Sequence, residues 1–197
     1  MTTTRPFPRL SRLIACAGVL AICAVMAGAA SARPAPQTAA GDTLDPRTYA
    51  PDSRLFLIAH ATGVQKYTCQ PNGTWLFTDP EATLFMTNGV SQAFGTHFLN
   101  FATGRPVWQL QDGSSVETAR RVTVPAGPAN IPSLLLEAVP TADGGHGRLT
   151  RTTWVQRLHT AGGIAPAGSC TPGAQQAVPY TADYFFWREH GRDAEAV

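Results

Sequence analysis

The sequence predicts a single all-β domain, an antiparallel β-sandwich or small barrel closed by one disulfide. Three observations carry that expectation. Short runs with a period of two recur along the chain, separated by Gly, Pro, Asn and Asp at the spacing of strands and turns. No stretch sustains helical periodicity over three turns. Two cysteines, Cys69 and Cys170, remain to pair once the N-terminal segment is set aside.

That segment reads as a secretory signal peptide over residues 1–32. Arg5, Arg9 and Arg12 form a positive region, Leu13 to Ala27 runs without a charge, and Ala30-Ser31-Ala32 offers a small-x-small cleavage site. The apolar run falls short of the roughly 20 residues that a membrane span needs, so no span is expected after processing. Removing residues 1–32 leaves 12 basic and 13 acidic residues. The basic character of the whole chain therefore belongs to the targeting segment. No basic stripe or cluster is left, and nucleic acid is not an expected partner. Cys16 and Cys23 lie inside the signal core. An even pair in an exported chain reads as a disulfide, here closing a loop of about 100 residues and worth up to roughly 4.7 kcal/mol. The expected location is periplasmic or extracellular.

Residues 33–53 are rich in Pro, Ala and Thr and read as a flexible lead-in to a domain over 54–187. Gly63–Gln70 and Thr74–Thr78 are the arms of a hairpin, because Asn72-Gly73 between them tolerates positive φ at both positions. Asn72-Gly73-Thr74 also spells a glycosylation acceptor. Asp79-Pro80-Glu81 is expected to cap a short helical turn. Pro106–Gln111 is a strand with Trp108 and Leu110 on one face, ended by an Asp112-Gly113 turn. Ser115–Val124 alternates, with Val116, Thr118, Val122 and Val124 on one side and Arg120 breaking that face. Leu134-Leu135-Leu136 reads as a strand buried on both sides. Thr152–Thr160 places Trp154 and Leu158 on one face, Arg157 and His159 on the other. The final strand is the most regular, with Val178, Tyr180, Ala182, Tyr184 and Phe186 all pointing one way. Residues 161–177 form a long Gly- and Pro-rich loop holding Cys170, and 188–197 a charged tail.

The order of short motifs carries a resemblance. It runs Gly63-Val64-Gln65 with Tyr67 and Cys69, Pro80-Glu81-Ala82 with Leu84, Gly95-Thr96-His97, Pro106-Val107-Trp108, and Asp112-Gly113-Ser114 with Val116. It ends with Gln156-Arg157, Thr160, Gly162-Gly163, Ala165-Pro166, Cys170 and Tyr180-Thr181-Ala182-Asp183-Tyr184. In that order they resemble a family of exported bacterial and fungal proteins known only as a domain of unknown function, family 3455. The likeness covers roughly residues 55–187 and implies little about function, because the family is uncharacterised. Two departures stand out. Residues 98–105 form a longer stretch before Pro106-Val107-Trp108 than the family pattern has, and Ser133 follows Ile131-Pro132 where the family tends to have Trp.

Candidate chemistry is sparse. The histidines, His60, His97, His146, His159 and His190, form no metal-ligand spacing, and no metal or cofactor is expected. No Gly-x-Ser-x-Gly, dinucleotide fingerprint or P-loop is present. The leading expectation is a non-enzymatic, exported binding or envelope-associated module. Its partner would be a small molecule, glycan or envelope component, with His60, Trp108, Gly162 and Gly163 as candidate binding residues. Tyr67, Trp75, Trp108, Trp154, Tyr184 and Trp187 offer rings for sugar stacking or for the core. The alternative is a small secreted hydrolase or lyase using His97 with Asp112 as acid and base. An enzyme predicts His97 beside a carboxylate in a concave pocket. A binding module predicts exposed aromatics on one surface.

Overall fold

Eight strands follow one another around a closed barrel. The computed structural model describes residues 43–86, 92–140 and 145–189. The predicted signal peptide, residues 33–42 of the predicted lead-in, His190 and the rest of the tail from residue 190 lie outside these. The strands are β1 (Ser53–Cys69), β2 (Trp75–Met86), β3 (Ala93–Asn100), β4 (Arg105–Leu110), β5 (Ser115–Val124), β6 (Ser133–Ala138), β7 (Trp154–Gly162) and β8 (Gln175–Glu189). Each pairs antiparallel with the next, and β8 returns to β1, from Ser53↔Glu189 to Thr68↔Gln175. Of the two predicted architectures the barrel is the one formed.

The period-two pattern fills the barrel. Leu57, Ala59 and Ala61 of β1, Leu84 of β2, Trp108 and Leu110 of β4, Val116 of β5, and Tyr180, Ala182, Tyr184 and Phe186 of β8 pack in one interior cluster. Leu134 and Leu136 join it, while Leu135 points outward into a second cluster with Leu44 and Trp154. The β6 triplet is thus buried on both sides, as its sequence implies. The β1–β2 hairpin turns on Asn72-Gly73: Gly73 has φ +78°, its N–H donates to the Gln70 carbonyl at 2.9 Å, and the Asn72 Oδ1 accepts the Thr74 N–H at 3.1 Å. Cys69 and Cys170 form the disulfide, with Cα atoms 5.8 Å apart.

Several expectations need correction. Asp79-Pro80-Glu81 caps no helix and lies within β2, where Pro80 pairs with Gln65. β3 reaches β2 only from Ala82↔His97 to Phe85↔Ala93, so Pro80 stands where β2 has one ladder neighbour and its missing N–H is tolerated. Val122 and Val124 do not share the face of Val116 and Thr118. The register slips between Arg120 and Val122, so Val122 pairs with the outward Leu135 and both valines join the outer cluster. Arg157 and His159 are likewise separated by a slip between Leu158 and Ala161. Arg157 pairs with the interior Tyr184, while His159 turns out to meet Asp183. Residues 43–52 of the lead-in are not featureless: Pro46–Thr48 form a 3-10 turn capped by Asp45, and Leu44 is buried. The barrel extends beyond 54–187 at both ends, since Ser53 opens β1 and Arg188 and Glu189 finish β8.

Candidate functional site

The antiparallel order gathers the β1–β2 turn, the β3–β4 turn, the β5–β6 loop and the β7–β8 loop at one end of the barrel, the end that carries the disulfide. Gly162 and Gly163, with φ of +74° and +81°, lead the β7–β8 loop across this mouth. The Tyr67 hydroxyl donates to the Gly163 carbonyl at 2.6 Å, and the Gly163 N–H to the Pro179 carbonyl at 2.9 Å. The Ile131 N–H donates to the Gly162 carbonyl at 2.9 Å. A Cβ added to Gly163 would lie 2.9 Å from Ile131 Cγ2 and 3.0 Å from both Gln65 Cγ and Tyr180 Cβ. Gly163 is therefore a plug that only glycine fits, and the Gly162-Gly163 pair shapes the mouth rather than exposing a contact.

Beneath the plug the interior is aromatic and polar. His97 stacks on Trp108 with ring centroids 4.4 Å apart, and Tyr184 meets both edge-on. The Tyr180 and Tyr184 hydroxyls lie 3.4 Å apart, and burial pushes both up in pKa. Arg157 enters this layer from β7 and donates from Nε and Nη2 to the Pro132 carbonyl, at 3.0 and 2.9 Å.

Beside the plug, on the rim, lies a hollow of about 510 Å³. It lies over β1, β2 and β8 with Phe101 of the β3–β4 turn at its edge, near the gap left where the β2–β3 ladder ends at Ala82↔His97. Asp79 bridges the gap, its Oδ1 accepting the Leu99 N–H at 3.0 Å. Lys66, Thr68, Thr78, Asp79, Gln175 and Gln176 line the hollow with polar groups, the Lys66 ammonium paired with the Asp79 and Glu81 carboxylates, and Phe101 forms one wall. Phe101 is 80% exposed, the most exposed large apolar residue described. The β3–β4 turn holds it out: the Asn100 carbonyl accepts the Gly104 N–H at 2.7 Å, and Asn100 Oδ1 accepts the Ala102 N–H at 3.0 Å.

The residues singled out in the sequence fall in different places. His97 is 3% exposed, its Nδ1–H donating to the Val107 carbonyl at 2.9 Å, and burial pushes its pKa down to about 3. Asp112 lies in the β4–β5 turn, where the Ser114 hydroxyl and the Arg148 N–H hold its carboxyl below the usual range. The structure does not bring His97 and Asp112 together. Trp108 is core, 1% exposed. His60 stands on the outer wall, away from His97, with Asp183. Of the aromatic residues named as stacking candidates, Tyr67, Trp108, Trp154 and Tyr184 are buried, and Phe101 is the ring the sequence did not announce. It lies in the turn between β3 and β4. Among the described residues no group of three or more His, Cys or carboxylate side chains is arranged to hold a metal ion.

Taken together, fold and rim define a closed eight-stranded barrel domain with a disulfide-held plug at one end. The chain belongs to the family described as Protein of unknown function (DUF3455), which it matches over residues 50–188. No curated protein and no solved structure matches it.

Proposed function

We propose that the protein is an exported, non-enzymatic binding module that takes an uncharged glycan in the rim hollow. The carrying observation is the Phe101 ring, 80% exposed, set against Gln175, Gln176, Thr68, Thr78 and Asp79 in one hollow of about 510 Å³. A sugar ring has an apolar face that packs on an aromatic ring and a rim of hydroxyls that need amides, hydroxyls and carboxylates. The hollow offers both kinds of contact. The signal-type N-terminus and the Cys69–Cys170 disulfide support export to an oxidising compartment. A hydrolase using His97 and Asp112 finds no support in the geometry, because His97 is sealed in the interior and touches no carboxylate.

The test is binding of the processed protein to insoluble cell-wall polysaccharides, followed by calorimetry with the oligosaccharide that is retained. Burying a phenylalanine ring contributes about 1.5–3 kcal/mol. Phe101→Ala should therefore weaken the glycan by about tenfold or more while leaving the melting temperature unchanged, since the ring adds little to the core. Retention of glycan by Phe101→Ala at wild-type affinity would sink the proposal.

A further inference from the structure

Phe101 borders two hollows. One is the rim hollow over β1, β2 and β8. The other, of about 580 Å³, lies over β3, β4 and β5 and is lined by Phe98, Asn100, Val107, Ser115 and Glu117. The two meet at Phe101 and are otherwise lined by different residues. The second hollow is on the outer face of the sheet. Phe98 pairs with Val107 and Val107 with Glu117, so the three stand in a row across the strands, on the face opposite the interior Trp108.

The two hollows carry the same set of groups. In the rim hollow the carboxylate is Asp79, its Oδ2 3.9 Å from Lys66 Nζ, and the hydroxyls are those of Thr68 and Thr78. In the second hollow the carboxylate is Glu117, its Oε1 3.4 Å from Arg105 Nη1, and the hydroxyl is that of Ser115. Both carboxylates are mostly covered, with side chains 13% and 20% exposed. Both are also fixed by the residues just before Phe101. Asp79 Oδ1 accepts the Leu99 N–H at 3.0 Å, and Glu117 Oε2 accepts the Asn100 Nδ2–H at 2.8 Å. The end of β3 is thus tied to one carboxylate in each hollow, and the exposed ring follows directly. A ligand of repeating units would meet one chemistry twice, with an aromatic ring between.

We propose that the two hollows are subsites for one linear, uncharged polysaccharide, laid across Phe101 so that successive stretches of the chain fill both. This rests on the reading of the rim hollow as a glycan site, and it adds that the ligand is a polymer rather than a single sugar. A carboxylate in each hollow repels an anionic chain, and the cation beside each carboxylate offsets the pull on a cationic one. Hydroxyls of a neutral sugar can donate to the carboxylates and accept from Ser and Thr. Its apolar face packs on the ring. Because Asp79 and Glu117 are held before the ligand arrives, little ordering opposes binding.

The experiment is calorimetric titration of the processed protein with neutral linear oligosaccharides of the cello, laminari and chito series, from disaccharide to hexasaccharide. In the series that binds, affinity should rise with length and then level once both hollows are filled. A second hollow that adds two ordinary hydrogen bonds is worth about tenfold. Ser115→Trp places a bulky ring in the second hollow only. It should bring the hexasaccharide down to the disaccharide's affinity and leave the disaccharide unchanged, whereas Phe101→Ala should weaken both. The length series on the unmutated protein needs no variant to fold. Equal affinity for disaccharide and hexasaccharide, both weakened by Phe101→Ala, would overturn the second subsite and leave the rim hollow as the whole site. A folded Ser115→Trp that keeps the full hexasaccharide affinity would overturn it too. Failure of every series to bind would overturn both the chain and the glycan reading on which it rests.

Discussion

At the scale of single residues, His97 shows how the barrel decides chemistry. In water an imidazole titrates near neutrality, yet here it is enclosed by Trp108 and Tyr184 and gives its one N–H to the Val107 carbonyl. Burial lowers its pKa to about 3, and the nearby Arg157 charge pushes the same way. The unfolded chain, with a value near 6.5, binds a proton that the folded chain refuses between those limits. The histidine's contribution to stability is therefore full above about pH 6.5 and is lost as pH falls toward 3, on the order of 1 kcal/mol per pH unit. His97→Phe lacks the titrating group. Urea unfolding at pH 7 and at pH 4.5 should show the unmutated chain losing stability more steeply than His97→Phe. Parallel slopes would mean that His97 is not sealed from protons. A residue so held is a poor general base.

At the scale of elements, the disulfide and the glycine plug act on the same loop. Cys170 follows the plug by seven residues, and the loop's return is tied to β1 where the Cys69 N–H donates to the Ala174 carbonyl at 2.8 Å. Replacing both Cys69 and Cys170 by Ala should cost about 2–5 kcal/mol while the far-ultraviolet dichroism keeps its strand spectrum, because the ladders around Tyr67 and Tyr180 remain. An unchanged melting temperature would remove the bond's structural role. Much of this layer is legible in the sequence. Asn72-Gly73 marks the first hairpin, Ser115–Val124 marks the full extent of β5, and the β8 alternation marks the inward face. What the sequence hides are the five places where a ladder slips its register, between Leu55 and Leu57, Lys66 and Tyr67, Leu84 and Phe85, Arg120 and Val122, and Leu158 and Ala161, and no residue type at those positions announces it. The faces of Val122, Arg157 and His159 follow from those slips, so the contact of His159 with Asp183 cannot be counted off the chain. Phe101 was hidden for another reason: a single ring in a turn belongs to no pattern.

At the scale of the whole molecule, the first strand pairs with the last, so the barrel closes only when the chain is complete. Packed against the outer face of the sheet is the strap from residue 43 to 52. The Leu44 side chain is 5% exposed among Leu135 and Trp154, and its carbonyl accepts the Gln156 Nε2–H at 2.6 Å. Gln156 Oε1 in turn accepts the Trp187 Nε1–H at 2.7 Å. Tyr49 packs on Trp154 with centroids 5.5 Å apart, and the Arg47 guanidinium lies over Trp187. The strap thus covers an apolar area that the bulge in β5 created by turning Val122 and Val124 outward. Truncating a buried leucine costs about 2–5 kcal/mol, and a strap that can settle into the gap belongs at the low end. Leu44→Ala should lower the urea midpoint by an amount worth about 2 kcal/mol. A processed chain beginning at Ser53 should go further, baring Leu135, Trp154 and the two valines as one patch, and exposed patches of that kind drive association. Sedimentation should then find larger species than the strapped protein forms. A strapless barrel that sediments as the strapped one does, with the original midpoint, would show that the outer cluster holds without its cover.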